Sequence, residues 1–188
     1  MKPATDVTTD EAVSLIAQGK ALIDATAGSS TPKKLTALML SDGALYFGEW
    51  QDGRKNGKGE QRWPDNRVYI GNWVNDKAEG HGKIIHDDGE QYEGEWFDDK
   101  ANGKGTYIYA NKAKYVGDWV NDMKTGQGSE SWGDGSKYEG AYFEGKKHGQ
   151  GHLVFADGSN YKGDFHNDSF HGKGKFVWPD MKTYDGQW

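Results

Sequence analysis

Short runs of the chain alternate large apolar side chains with glycine or polar residues. The first two runs contain Tyr46, Gly48 and Trp50, and then Gly57, Gly59, Gln61 and Trp63. A period of two places these side chains on one face of a β-strand. The segment 51–56 between the runs, and the segment 64–66 after them, are rich in residues that favour turns. The pattern therefore predicts a β-hairpin followed by a second turn.

The hairpin pattern recurs every 23 residues without an insertion. Tyrosine opens each repeat, glycine follows two positions later, an aromatic residue follows four positions later, and two more glycines follow at positions eleven and thirteen. Six full repeats therefore cover residues 46–183, and residues 184–188 begin a seventh. The aromatic residues expected to support the repeats are Tyr46, Trp50, Tyr69, Trp73, Tyr92, Trp96, Tyr115, Trp119, Tyr138 and Tyr161.

The spacing also suggests a register for the strands. A first hairpin centred near Arg54 and Lys55 pairs Tyr46 with Trp63, Gly48 with Gln61, and Trp50 with Gly59. A second turn centred on Asn66 pairs Trp63 with Tyr69, and Gly59 with Trp73. In this register tryptophan rings cover the glycines. The tyrosines then form a continuous ladder with the aromatic residues that stand seventeen positions after them.

Composition narrows the class of protein. The 188 residues include 28 glycines, and 13% are aromatic, which argues against a disordered chain. Hydrophobic residues make up only 34%, which is thin for an ordinary two-layer domain. There is no cysteine, so disulfides and thiolate metal sites are excluded. A net charge of -6 argues against nucleic acid as a partner.

The motif Tyr-x-Gly-x-Trp-x-x-x-x-x-x-Gly-x-Gly over residues 46–188 resembles the MORN-repeat family. The sequence departs from the pattern at His86, and at Asn66, Lys112 and Met181, where a turn glycine is expected. The resemblance implies an all-β fold, a single-layer twisted antiparallel sheet of tandem β-hairpins. MORN segments serve as interaction or dimerisation modules, and binding to anionic phospholipid headgroups has been proposed for them. The resemblance therefore implies a non-catalytic scaffold that binds a protein partner. A second copy of the chain is one candidate for that partner.

Apolar residues also occur at the positions that alternate away from the tyrosines. Extended apolar surface is typical of a partner site, and a groove of this kind suits an amphipathic helix. The alternative is that sheet twist and long side chains cover this face. The candidate partner-binding residues are Phe47, Ile70, Val74, Phe97, Val116, Val120 and Phe143.

Basic residues recur where the hairpins turn, which suggests a second function as a peripheral membrane module that binds phosphoinositides. The alternative is a solvated turn, because acidic residues beside the basic ones largely cancel their charge. The candidate lipid-binding residues are Arg54, Lys55, Lys77, Lys100, Lys124, Lys146 and Lys147.

No catalytic motif is present, so we expect no enzymatic activity and no cofactor. Gly57-Lys58-Gly59 and its copies recur with no helix after them, which favours a structural role over a phosphate loop. The pairs His81/His86, His148/His152 and His166/His171 fall at different repeat positions, so we expect ordinary histidines and no metal site. A third possible function for this chain is that of a regulatory region within a larger enzyme.

The residues 1–34 precede the repeats and form the first predicted segment, with the array at 35–188. Thr8-x-x-Glu11 resembles a capping box and predicts a short helix that ends at Gly19. This helix either docks elsewhere or caps the first hairpin. We expect a cytoplasmic protein, associated with cytoskeleton, cilium or the cytosolic face of a membrane. The last strand is expected to pair with another copy or with further chain.

Overall fold

The computed structural model describes residue 28, residues 31–34 and residues 37–188. The helix expected before Gly19 lies outside these residues. The chain is divided into two compact units, the first ending at Asp87 and the second comprising Asp88–Trp188. The division expected at residues 34/35 stays a prediction.

The first unit is a set of antiparallel strands. The strands are β1 (Lys33–Lys34), β2 (Leu38–Met39), β3 (Leu45–Gln51), β4 (Arg54–Arg62), β5 (Val68–Val74) and β6 (Lys77–Ile85). β3 to β6 pair in sequence order, and both short strands β1 and β2 pair with β3.

The second unit continues the same plan, and each strand pairs antiparallel with the next along the chain. The strands are β7 (Gln91–Phe97), β8 (Lys100–Ile108), β9 (Lys114–Val120), β10 (Met123–Ser131), β11 (Lys137–Phe143), β12 (Lys146–Val154), β13 (Asn160–His166), β14 (Ser169–Val177) and β15 (Thr183–Gln187). The predicted fold class, all-β with tandem antiparallel hairpins, is confirmed.

The expected register of the first hairpin is wrong by two residues on the second strand for Tyr46 and Gly48, and by four residues for Trp50. Tyr46 lies opposite Gln61, Gly48 opposite Gly59, and Trp50 opposite Lys55. The loop contains only Asp52 and Gly53, with φ of 49° and 74°. Two residues of positive φ are typical of the tight turn that suits twisted strands. A bulge between Gly48 and Trp50 shifts the pairing by two residues, so that the strands close on this two-residue loop.

The second turn also differs from the expectation. Gln61 lies opposite Tyr69, Gly59 opposite Gly71, and Gly57 opposite Trp73. Trp63 begins this turn, because its N–H donates to the Arg67 carbonyl at 2.9 Å. In the second unit Tyr109, Trp132, Phe155 and Trp178 make the same bond to residues four further on. These residues therefore start turns, and the ladder expected between them and the tyrosines is not the one that forms.

Candidate interaction surface

Strand alternation gives each unit two faces. The face that carries the repeat tyrosines is called the tyrosine face, and the face with the intervening residues is called the opposite face. The tyrosines of the six full repeats are almost completely buried although each unit is one sheet thick, and the largest such side chains are Tyr46, Tyr69, Tyr115, Tyr138 and Tyr161.

The hydroxyl end of each repeat tyrosine lies against glycine backbone. The Tyr115 hydroxyl donates to the Asp118 carbonyl at 3.1 Å, and a Cβ added at Gly128 would lie 2.5 Å from this hydroxyl. Gly128 is paired with Gly117 on one side and Gly140 on the other, which leaves a strip without side chains. The ring over the glycine Cα atoms is therefore tyrosine, whereas tryptophan contacts the edge of the strip, where the Trp119 indole N–H donates to the Gly105 carbonyl at 3.3 Å.

In the aromatic ladder, a repeat tyrosine contacts two aromatic rings. One belongs to the residue four positions after it, and the other to the residue four positions after the tyrosine of the next repeat. Tyr46 meets Trp50 at 5.2 Å and Trp73 at 5.5 Å between ring centroids, both edge to face. In the second unit Tyr115 meets Trp119 at 5.3 Å and Tyr142 at 5.1 Å. Burial raises the pKa of Tyr115, and it raises the pKa of Tyr138 to about 12. The tyrosine face is therefore a packed core of neutral phenols.

Three of the seven candidate lipid-binding residues belong to this core. Lys55 is only 9% exposed, its Nζ donates to Gln61 Oε1 at 2.6 Å, and it lies 3.7 Å from the Trp73 ring centroid. Lys147 lies over the rings of Trp132 and Tyr138, at 5.1 and 5.3 Å. Such cation–π contacts stabilise a cation against an aromatic surface.

Lys124, the third of these lysines, forms the centre of a polar cluster. Its Nζ donates to Glu130 Oε1 at 2.9 Å, and the Tyr142 hydroxyl donates to the other oxygen of this carboxylate at 2.9 Å. Burial lowers the pKa of Lys124, although Glu130 opposes the shift. The cluster satisfies its own charges and leaves nothing free for a ligand.

The other basic residues at the hairpin ends, Arg54, Lys77, Lys100 and Lys146, are exposed. Residues eight and nine positions after the tyrosine point to opposite faces, because adjacent strand residues alternate. One predicted basic row therefore becomes two sets, and only the exposed set is available to an external partner.

The opposite face carries all seven candidate partner-binding residues in exposed positions. In the first unit these are Phe47, Ile70 and Val74. In the second unit Phe97 is 62% exposed and Phe143 is 54% exposed, and Val116 and Val120 are exposed as well. Sequence reasoning missed Met123, which is exposed and lies opposite Val120 on the neighbouring strand. The sequence signal for Met123 was that it is apolar, whereas the other full repeats have Arg, Lys or Ser eight positions after the tyrosine.

Shallow hollows lie on the opposite face of each unit. A hollow of about 580 Å³ in the first unit is bordered by Phe47 and Ile70. A hollow of about 420 Å³ in the second unit is lined by Val116, Val154, Ser129, Ser131, Lys114, Lys137, Glu139 and His152, and is called the β10 hollow. Sequence reasoning missed its lysines and serines.

Three histidines of the second unit, His148, His166 and His171, lie near one another. The rings of His148 and His166 lie 4.9 Å apart between centroids, and those of His166 and His171 lie 5.4 Å apart. Within residues 37–188 and the few described before them, no group of three or more His, Asp or Glu side chains is placed to hold a metal ion. The same described part contains no helix with the length and apolarity needed to cross a membrane.

Comparison with known proteins identifies the repeat. The family model described as "MORN repeat" matches residues 46–66, 69–91, 92–114, 115–137, 138–160 and 161–180. The chain belongs to the MORN repeat family. Its match to ALS2 C-terminal-like protein of Homo sapiens is 46% identical over 39 residues, and its match to Alsin of Rattus norvegicus is 40% identical over 40 residues. Each match spans 21% of this MORN chain, but only 4% and 2% of those relatives.

Solved structures share only a loose likeness with this MORN chain. A mutant TCP10 domain of CPAP from Danio rerio gives a TM-score of 0.48 at 16% identity, over 81% of this chain and 71% of that one. The TCP domain of SAS-4 from Drosophila melanogaster, in complex with a proline-rich motif of Ana2, gives 0.45 at 10% identity, over 85% and 79%. TM-scores below 0.5 establish neither a family nor a function.

Proposed function

We propose that this chain is a non-catalytic interaction module that binds an amphipathic helix of a protein partner on its opposite face. The observation that carries the proposal is the exposure of Phe97, Val120 and Phe143, which stand five positions after the tyrosine in three consecutive repeats. Large exposed apolar side chains in a row are typical of protein-binding surfaces. These three residues are called the apolar row.

The spacing of the apolar row suits a helix that crosses the strands. Two strand spacings of about 4.8 Å separate each member of the row from the next, an advance of about 9.6 Å per repeat. A helix rises about 1.5 Å per residue, so equivalent positions of successive heptads lie about 10.5 Å apart. One apolar side chain per heptad therefore meets one side chain of the row per repeat.

Charged and apolar neighbours complete the surface. Lys100 lies opposite Phe97, and Lys146 lies opposite Phe143 on the adjacent strand. Met123 beside Val120 widens the apolar centre. A helix with an acidic edge complements these lysines, which favours the correct orientation on binding.

Site-specific crosslinking tests the proposal. A photoreactive phenylalanine analogue replaces Phe143 in the full chain, and crosslinked peptides from cell lysate are identified by mass spectrometry. The same replacement is made in a chain with Phe97→Asp, and in a control chain with Met181→Asp, which removes an exposed apolar side chain outside the row. Thermal unfolding curves show whether each chain is folded.

We expect an amphipathic segment of one partner to be crosslinked in the parent and in the Met181→Asp chain, and to be reduced at least about tenfold by Phe97→Asp. Equal crosslinking in all three chains contradicts the proposal. Crosslinks to a second copy of the chain would indicate self-association in place of a partner helix. Crosslinks to lipid alone would favour the membrane function.

A further inference from the structure

The β10 hollow exists because two small side chains interrupt a row of larger ones. Ser131 stands sixteen positions after the tyrosine of its repeat. The residues at this position in successive repeats are Arg62, Ile85, Ile108, Ser131, Val154 and Val177. Ser129, two residues before Ser131, lies on the same face because strand residues alternate. The two serines lower the surface between Val116 and Val154.

Two lysines face each other across Ser131. Ser131 lies directly opposite Lys114 on β9 and directly opposite Lys137 on β11. Both lysines are exposed, and the structure of residues 37–188 gives them no ion pair. Lys114 and Lys137 lie on either side of β10, so two strand spacings of about 4.8 Å separate them. An anion above Ser131 would interact favourably with both ammonium groups.

We infer that the β10 hollow binds a single carboxylate, supplied by an acidic side chain of the protein partner, an inference that rests on the proposed function. The flexible lysine stems let both ammonium groups reach one carboxylate above Ser131. The Ser131 hydroxyl donates a hydrogen bond to the same group. Val116 and Val154 form apolar walls against the methylene groups of the acidic side chain.

The charge of the hollow suits one carboxylate. Lys114 and Lys137 contribute two positive charges, and Glu139, two residues after Lys137 on the same face, contributes one negative charge. His152 lies opposite Glu139. The carboxylate of Glu130 belongs to the tyrosine face, where Lys124 holds it. The net single positive charge matches one carboxylate, whereas a phosphomonoester carries about 1.5 to 2 negative charges at neutral pH.

Nuclear magnetic resonance of the full chain tests this assignment without an identified partner. The probe is N-acetyl-glutamate N-methylamide, and its neutral twin is N-acetyl-glutamine N-methylamide. Backbone amide signals of Lys114, Ser131 and Lys137 are followed during titration at low salt. The test variant is Lys114→Gln with Lys137→Gln. The matched control is Lys162→Gln with Lys175→Gln, another exposed cross-strand lysine pair on the same face.

We expect saturable shifts with the glutamate probe, none with its neutral twin, and about tenfold weaker binding after loss of both lysines, the size of two exposed ion pairs. The control pair is expected to leave binding unchanged. An absence of shifts, or equal loss in both variants, overturns the inference. Inorganic phosphate, or phosphatidylcholine vesicles that contain phosphoinositides, binding at least tenfold more tightly at the same residues also overturns it. The crosslinking result at Phe143 is independent, so the two proposals fail separately.

Discussion

The hydroxyl end of Tyr115 occupies the space where a side chain on Gly128 would begin. An added Cβ would lie 2.5 Å from that oxygen and from Cε2 of the same ring. Tyr115 has no room to withdraw, because Trp119 and Tyr142 pack against it edge to face and its hydroxyl is bonded to the Asp118 carbonyl. The glycines and the tyrosines of the repeat are therefore one packing unit.

Gly128→Ala is expected to destabilise the chain by about 2 kcal/mol, because the added methyl group overpacks a rigid ring. Urea unfolding measures the loss. Gly133→Ala is the control, since Gly133 has open space around its Cβ position and no positive φ. Equal effects of the two substitutions would show that the tyrosine contact does not matter.

Glu130→Gln is expected to cost about 3 kcal/mol, since it leaves the buried ammonium group of Lys124 without its charged partner. The same two positions hold Phe170 and Phe176 in the last full repeat, with ring centroids 6.2 Å apart. The double replacement Lys124→Phe with Glu130→Phe is therefore expected to lose less stability than Glu130→Gln alone. Thermal and urea unfolding compare the three chains. If the double variant is less stable than Glu130→Gln alone, the unpaired charge of Lys124 is not the main cause of the loss in the single variant.

Asp168→Gly is expected to cost less than about 1 kcal/mol, because it removes one hydrogen bond but also relieves the strain of a φ of 67°. Asp168 joins adjacent hairpins, because its carboxylate accepts the Lys147 N–H at 2.9 Å and its own N–H donates to the Lys147 carbonyl at 3.0 Å. The equivalent residue of the preceding repeat is Gly145, which makes only the second of these bonds, to Lys124 at 2.9 Å. Asp168→Asn keeps an acceptor oxygen and serves as the control in the same unfolding measurement. A loss as large for Asn as for Gly would exclude the hydrogen bond as the cause.

Met181→Gly is expected to raise stability by about 0.5 kcal/mol. Met181 has a φ of 67°, which costs a residue with a side chain roughly 1–2 kcal/mol, more than the about 0.4–1 kcal/mol that extra glycine freedom costs. Differential scanning calorimetry measures the change in melting temperature. Met181→Ala removes the side chain but keeps the strained backbone, so it is expected to give no gain. A gain from Ala equal to that from Gly would assign the effect to the side chain.

Acid is expected to weaken the turns of the second unit. The Ser136 hydroxyl lowers the pKa of Asp134, and the Ser159 hydroxyl lowers that of Asp157, below the ordinary value of 3.8. A carboxyl with a lowered folded pKa contributes stability that is present above its unfolded pKa and is lost as the pH falls through the folded one. We therefore expect stability to fall below about pH 4.

Asp157→Asn keeps the acceptor for the Ser159 N–H, which Asp157 binds at 2.9 Å, but removes the titrating group. Urea unfolding of this variant is expected to depend less on pH in the acid range than unfolding of the parent chain. An unchanged pH dependence would show that this carboxylate does not contribute.

Particular residues show how far the sequence reaches. The alternation of Tyr46, Gly48 and Trp50 was sufficient to predict a strand, and the same alternation placed Phe97 and Phe143 on the face opposite the tyrosines. Their exposure is a finding of the structure. The partners of the tyrosines were not predictable from spacing alone. The pairing depends on whether the hairpin loop closes with two residues or more, and the bulge then shifts the strands locally.

The sequence by itself determined the repeat, its length of 23 residues, the strand and turn segments, and the two faces, because each follows from local periodicity. Only the tertiary structure decided the register, the tyrosine over the glycine, and the burial of Lys55, Lys124 and Lys147. The same is true of the two lysines that face each other across Ser131. These features depend on which residues of neighbouring strands lie opposite each other. Hydrogen-bonded turns and bulges determine that relationship, and the positions along one strand do not contain it.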